Sequence, residues 1–298
     1  MIDCLTYEQP TLERVVVVSK KADEDKVLSA LTKIQEEDPS IIVYRDPEFL
    51  QLRIEAMGET HLEIIKSKLL QKFDIEIEYE LPKVPYRETI KGRADVQGKY
   101  KKQSGGHGQY GDVKIIFEPR TDGKDELLFV NKVVGGAVPK QYIPAVEKGL
   151  EEAMGKGVLA GFPLIRLQAT LYDGTYHTVD SSEYAFKAAA SIAYKQGIAQ
   201  ANPCILEPVM KVEMDIPSEC IGDVMGELTR KRGRILGMEE VKGSEHITAE
   251  VPQSEMLNFT TELKSLTGAR GQFTSEFARY EELSEELSKK LLDHLEWI

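Results

Sequence analysis

The sequence is poor in the residues that build disulfide frameworks, metal centres and membrane spans. Its three cysteines, Cys4, Cys204 and Cys220, contain no CxxC and are odd in number, which points to reduced structural thiols. The five histidines form no HxxxH or HExxH pair, so no metal site is expected. No stretch approaches about 18 uninterrupted apolar residues, and no membrane partner is expected. The opening residues MIDCLTYEQP carry neither the basic nor the apolar part of a secretory signal, and a cytoplasmic protein is expected. Positive charge is also short. Lys and Arg number 38 against 50 Asp and Glu, a formal net of −12, which over the whole chain disfavours nucleic acid.

The distribution of that charge says more than its sum. Residues 1–82 hold 10 cations and 18 anions, residues 83–206 hold 17 and 13, and residues 207–298 hold 11 and 19. A middle of net +4 between flanks of −8 fits a central segment that meets something anionic, although charges also cluster by chance. The 298 residues suffice for two to three domains. In 1–82 the order is LERVVVVS (strand), ADEDKVLSALTKIQEED (helix, with Val27, Leu28, Leu31 and Ile34 on one face) and SIIVYRD (strand). There follow FLQLRIEAMG (strand, alternating Leu50, Leu52, Ile54, Ala56), ETHLEIIKSKLLQKF (helix) and DIEIEYE (strand). This β-α-β-β-α-β order is ferredoxin-like. Residues 207–298 repeat it, with a helix ECIGDVMGELTRKRG stopped at glycine, a helix EMLNFTTELKSLTGARG, and an added amphipathic helix in SEELSKKLLDHLEWI. The middle reads as an α+β domain with polar loops around 100–111 and 173–182.

Within SGGHGQYG, Gly106, Gly108 and Gly111 have the spacing G-x-G-x-x-G. A dinucleotide site needs an apolar strand before it and a helix after it, whereas KYKKQS precedes it and the alternating DVKIIFEPR follows. A kinase loop would require H-R-D-x-x-x-x-N and D-F-G motifs, and a Walker loop G-K-[ST]; none is present. No catalytic residues are assigned. What remains is a hairpin-like tip with glycines for positive φ and close approach, with Lys99, Lys101, Lys102 and His107 for positive potential and Gln103, Gln109 and Tyr110 for hydrogen bonding or stacking. An RNA contact and an ordinary flexible hairpin both fit. Ser181, Ser182 and Glu183 read as caps of the long helix that follows, and His61 as a packing residue. TRKRGR is either a solvated helix end or an RNA contact.

Longer motifs carry a resemblance. KYKKQSGGHGQYGDV, VVGGAVPKQYIPAVEKG and DGTYHTVDSSEYAFKAAASIA together resemble the fourth domain of bacterial elongation factor G. EEDPS with GETHLEII is similar to its third domain, and LEPVMKVEMDIP with GELTRKRGRI to its fifth. The resemblance covers roughly 10–290 in the family's order, without the GTPase and barrel domains that precede these three. It implies two ferredoxin-like domains flanking a ribosomal-protein-like α+β domain with a left-handed βαβ crossover. It also implies a ribosomal role in which the fourth domain's tip enters the decoding site as transfer RNA and message move.

Ribosomal RNA and proteins, transfer RNA and message are the implied partners, together with the missing GTPase and barrel domains; GTP and Mg are expected only with that GTPase domain. Carried onto this sequence, the first tip loop is Lys101, Lys102, Gln103, Ser104, Gly105, Gly106, His107, Gly108, Gln109 and Tyr110, closing at Gly111. The second comprises Asp173, Gly174, Tyr176, His177 and Asp180, with His177 at the family's important tip histidine. Arg230, Lys231, Arg232 and Arg234 match the surface that meets large-subunit RNA. One departure is His107, where the usual factor has Arg, so that a titratable group replaces a fixed charge. That leaves two alternatives: a factor-G-like paralogue acting on stalled or drug-bound ribosomes, and a stand-alone RNA-binding module.

Overall fold

A computed structural model describes residues 9–18, 23–104, 107–241 and 243–295, without the side chains of Ser104 and His107. Cys4, Gly105 and Gly106 lie outside the described residues. The chain divides into two compact units, one of residues 1–84 with 208–279, the other of residues 85–207 with 280–298.

The first unit holds two modules of the same topology. In the N-terminal module β1 (Leu12–Val17), α1 (Glu24–Glu37), β2 (Ile42–Arg45), β3 (Leu52–Ala56), α2 (Glu59–Phe73) and β4 (Glu78–Glu80) form an antiparallel sheet of order β2-β3-β1-β4. This is the ferredoxin-like arrangement. Its core is made by the periodic apolar residues: Val27, Leu31 and Ile34 of α1, Leu62, Ile65 and Leu69 of α2, and Leu52, Ile54 and Ala56 of β3. Leu50 does not join that face. It has φ +54°, is 68% exposed and precedes the strand, so the alternation begins two residues later than its sequence pattern suggests. DIEIEYE yields only the three paired residues of β4.

The C-terminal module repeats the order with β10 (Pro203–Pro217, most of it in this unit), α5 (Ile221–Arg230), β11 (Arg234–Val241), β12 (Ser244–Pro252), α6 (Gln253–Met256), α7 (Phe259–Thr267) and β13 (Gln272–Glu282). The sheet runs β11-β12-β10-β13. Two expectations change here. The first helix is stopped not by Gly233 but by Arg232, which takes the left-handed conformation at φ +57°. The Gly233 amide then bonds Leu228 O at 2.7 Å and the Arg232 amide bonds Thr229 O at 3.2 Å, a Schellman cap. Gly233 is needed for proximity, since a Cβ there would stand 2.7 Å from Leu228 O. The second helix is broken between Met256 and Phe259, and the break has a purpose. Buried Arg14 of β1 donates to the freed Leu257 carbonyl at 2.8 Å and to Asn258 Oδ1 at 2.9 Å, while pairing with Glu59 at 2.6 Å. Thr260 donates to Thr11 O at 2.8 Å beside it.

The second unit is built on a sheet of order β6-β7-β9-β8, from β6 (Ala94–Ser104), β7 (His107–Pro119), β8 (Leu128–Asn131) and β9 (Leu167–Thr175). All pairs are antiparallel except β8 with β9, which run parallel and are joined through α3 (Ile143–Met154). The long helix α4 (Glu183–Gln200) covers the sheet, with Val113, Ile115 and Phe117 of β7 buried beneath it. A short strand β5 (Arg87–Ile90) pairs with the first residues of β10, and α8 (Glu285–Leu295) follows β13. Buried Glu88 of β5 is satisfied by the amides of Leu159 (3.0 Å), Ala160 (2.9 Å) and Phe162 (3.2 Å). Cys204 and Cys220 are free thiols, and burial pushes the Cys204 thiol up. Among the described residues no helix is long and apolar enough to cross a membrane.

The hairpin meets α4 backbone to backbone. A Cβ on Gly98 would lie 2.2 Å from Ala189 O and one on Gly111 2.4 Å from Ala185 O. Neither glycine has a positive φ; both are required for proximity. Gly98→Ala should therefore lower the unfolding free energy by about 3 kcal/mol in urea titrations, an overpacking cost against rigid backbone. Gly226→Ala, inside α5 with open space around it, should raise it by about 1 kcal/mol.

A second expectation concerns acid. Arg279 and Arg234 hydrogen-bond Glu250 and hold its carboxyl near about 2, against an ordinary 4.5. The unfolded chain binds that proton first, so the pair's contribution is complete above pH 4.5 and is lost as pH falls towards about 2. Over that window wild-type stability should fall by about 1 kcal/mol more than that of Glu250→Gln, a value reduced for solvent screening.

Candidate nucleic-acid interface

The first tip segment is strand almost to its end. β6 and β7 pair in unbroken register from Ala94↔Phe117 to Ser104↔His107, so the expected loop over 100–111 is a two-stranded projection. Lys101 stands opposite Tyr110, Lys102 opposite Gln109, and Gln103 opposite Gly108. Strand alternation places Gly98, Tyr100 and Lys102 on the face that meets α4, and Lys99, Lys101 and Gln103 on the other. On that other face Lys99 Nζ lies 5.5 Å from the Tyr110 ring centroid, a cation–π contact. Lys101, Lys102 and Gln103 are exposed. Gly105, Gly106 and the His107 and Ser104 side chains fall outside the described residues.

The second tip segment is tied to the first by a set of short hydrogen bonds. The Asp180 carbonyl accepts from the Tyr110 amide at 2.8 Å, and its carboxylate accepts from the Gly108 amide at 3.2 Å. Gly108 must be glycine for this, because a Cβ would lie 2.6 Å from the Asp180 carboxyl carbon. Ser181 donates to Tyr110 O at 2.8 Å and accepts from the His177 amide at 2.9 Å. Ser182 caps α4 by accepting from the Ala185 amide at 3.1 Å and donates to Gln109 Oε1 at 2.6 Å, so the capping serine also fastens the hairpin. His177 Nδ1 lies 3.1 Å from the Asp180 amide nitrogen and 3.2 Å from the Asp180 carboxylate, which holds the ring against the second segment. Tyr176 and His177 remain exposed. Asp173 is turned away from this role: Lys114 bonds it at 2.8 Å and lowers its carboxyl. Gly174 lets β9 approach β7, a Cβ there falling 2.3 Å from Asp112 O.

Beneath the tip runs a polar chain that sequence reasoning did not single out. The Tyr110 hydroxyl bonds Thr175 Oγ1 at 2.6 Å, Thr175 donates to buried Asp112 at 2.7 Å, and Gln97 donates to the same carboxylate at 2.8 Å. The one available signal was an acidic residue, Asp112, leading directly into the apolar alternation of β7.

The four cations of TRKRGR are placed differently. Arg230 pairs with Glu227, Arg232 with Glu255 at 3.1 Å, and Arg234 with Glu250. Lys231 is only 9% exposed and lies 2.7 Å from Glu262, with its ammonium also on Glu255 O at 3.0 Å. The structure thus brings the two tip segments together, whereas the TRKRGR cations are each matched by glutamate. His61 bonds Asp38 at 3.1 Å and the Met57 amide at 3.2 Å, as a packing residue does. Among the described residues no group of three His, Cys, Asp or Glu side chains could hold a metal.

Comparison with known proteins identifies the family. Residues 8–80 match the family model of elongation factor G domain III, residues 82–202 that of domain IV, and residues 204–291 that of the elongation factor G C-terminus. The crystal structure of a protein from Thermus thermophilus superimposes with a TM-score of 0.87 at 42% identity, covering 99% of this chain. The chain spans 44% of that protein's length. With three consecutive domain models matched in order over nearly all its residues, the chain belongs to the elongation factor G family, of which it carries domains III, IV and the C-terminal domain.

Proposed function

We propose that this chain is the ribosome-binding arm of a translation elongation factor G. Its hairpin tip enters the decoding site of the small subunit, where it promotes the joint movement of transfer RNA and message. The observation that carries this reading is the tip itself: two segments bonded to each other through Asp180, Ser181 and Ser182, with Lys101 and Lys102 exposed on the projection. Lysines suit RNA phosphates, which fix position without reading sequence, and a pre-bonded tip loses little entropy on entering a crowded site.

The mechanism is mechanical and electrostatic. The tip occupies the space vacated by the codon–anticodon duplex and so opposes its return, while Tyr110, Tyr176 and His177 offer stacking and hydrogen-bonding groups to bases. Arg230, Arg232 and Arg234 are the exposed members of the C-terminal cluster, Arg230 and Arg234 the more open of them, and are the ones able to meet large-subunit RNA, whereas Lys231 is a structural ion. GTP and Mg belong with a GTPase half, so this chain acts as a non-catalytic arm in the cytoplasm. A second reading, a paralogue serving stalled or drug-bound ribosomes, draws on His107 in place of the family's usual Arg.

The two readings separate in one assay. With this chain joined to a GTPase and barrel half of the family, Lys101→Glu with Lys102→Glu should slow single-turnover translocation by about 10-fold or more. Ribosome-stimulated GTP hydrolysis should stay within about 2-fold, because the tip is not part of that chemistry. An unchanged translocation rate in the variant would sink the tip mechanism. A fusion that binds ribosomes yet never translocates would favour the paralogue.

A further inference from the structure

Behind the tip segments stands an aromatic pair that neither of them uses. Tyr184, the second residue of α4, is 64% exposed, more than any other aromatic side chain among the described residues. Its ring is nonetheless held in place. It meets Tyr100 edge to face, with centroids 5.9 Å apart and planes at 82°. Tyr100 is fixed in turn, because it lies opposite Gly111 at the point where the hairpin presses on Ala185.

Lys102 shares the helix-facing side of β6 with Tyr100 and sits one pleat, about 7 Å, nearer the tip. Among the described residues no carboxylate is paired with it. Gln109, across from Lys102, is anchored to the α4 cap through Ser182 at 2.6 Å.

We propose that Tyr184 is a stacking platform for an unpaired RNA base, braced by Tyr100, with Lys102 meeting the phosphate of the same strand. This deepens the proposed function and rests on its RNA-contacting tip. An exposed ring normally keeps its rotational freedom; an edge-to-face partner removes it beforehand and leaves one face open, which is what base stacking requires. The surroundings favour RNA over an apolar protein anchor. On α4 the ring is flanked in sequence by Glu183 and, one turn on, by Lys187, which is bound to Glu152 at 2.6 Å, and the strand beside Tyr100 carries Lys102 opposite Gln109, polar and charged groups rather than apolar ones. The segment is also the chain's one cationic region, at net +4.

The test titrates this chain into a fluorescein-labelled oligoadenylate of about 12 nucleotides at low salt, read by anisotropy. Tyr184→Phe keeps the ring and should bind within about 2-fold of wild type, whereas Tyr184→Leu, a good helix former at an exposed position, should bind about 10-fold more weakly. Unchanged unfolding midpoints confirm that the fold survives both. If Tyr184→Leu binds like wild type while Lys101→Glu binds more weakly, the platform is refuted and the RNA-contacting tip stands. If the wild-type chain shows no salt-dependent binding, both fall. Benzoylphenylalanine in place of Tyr184 should photo-crosslink to RNA when the chain is mixed with ribosomes, and an adduct confined to ribosomal protein would overturn the assignment.

Discussion

The second unit depends on how closely α4 can be approached. On one side the hairpin of β6 and β7 reaches it through Gly98 and Gly111; on another α3 reaches it through Gly149, where a Cβ would lie 2.8 Å from Lys187 O. Near its end Gly197 admits the Phe117 ring, which a Cβ would meet at 2.3 Å. The alanines of α4 belong to the same constraint. Ala185, Ala189, Ala190 and Ala193 are fully buried, and larger residues there would hold the sheet away. Once the helix is fixed against the hairpin, its first turn is fixed as well. Ser182 then falls within reach of Gln109 and Ser181 within reach of Tyr110, so the geometry of the tip follows from packing well below it.

Cations in this chain have two fates, and the neighbouring carboxylates decide which. In the C-terminal module each of Arg230, Lys231, Arg232 and Arg234 has a glutamate partner; the Lys231 and Arg232 pairs tie the end of α5 to α7 and α6, whereas the Arg230 pair stays within α5 and the Arg234 pair joins two strands of the sheet. At the tip the nearby acids are already committed inward. Asp112 takes Gln97 and Thr175, Asp173 takes Lys114, and Asp180 takes backbone amides. The lysines of β6 are left facing solvent. A chain of net −12 can therefore leave Lys101 and Lys102 exposed without carboxylate partners among the described residues, because the acids beside them take their hydrogen bonds elsewhere in the protein.

Periodicity made most of the fold legible. The burial of Val27, Leu31 and Ile34 on a helix and of Val113, Ile115 and Phe117 on a strand follows from spacing alone. What escaped it depends on partners distant in sequence. Leu50 matches the alternation of β3 but turns out through a positive φ, and α7 begins only after a break whose carbonyl is taken by Arg14, some 243 residues away. The tip residues were legible as a set, since their motifs are long. Their division of labour was not: Lys231 and Arg230 look alike in TRKRGR, and only the position of Glu262 separates a buried ion from a surface one.

The glycine spacing at the tip shows how one pattern serves opposite ends. In a nucleotide loop, glycines bare the backbone so that amide protons can point at a phosphate. Here the protein's own acceptors hold two of the amides that could do so. Gly108 N–H goes to the Asp180 carboxylate and Tyr110 N–H to the Asp180 carbonyl, the carboxylate standing where an anionic ligand would sit. A phosphate could displace it only by leaving a carboxylate unsatisfied and parting the two tip segments. Anion recognition at this tip therefore falls to side chains that project from the strands, lysine for charge and tyrosine for base faces, and the glycines serve to bring the backbone elements that carry them together.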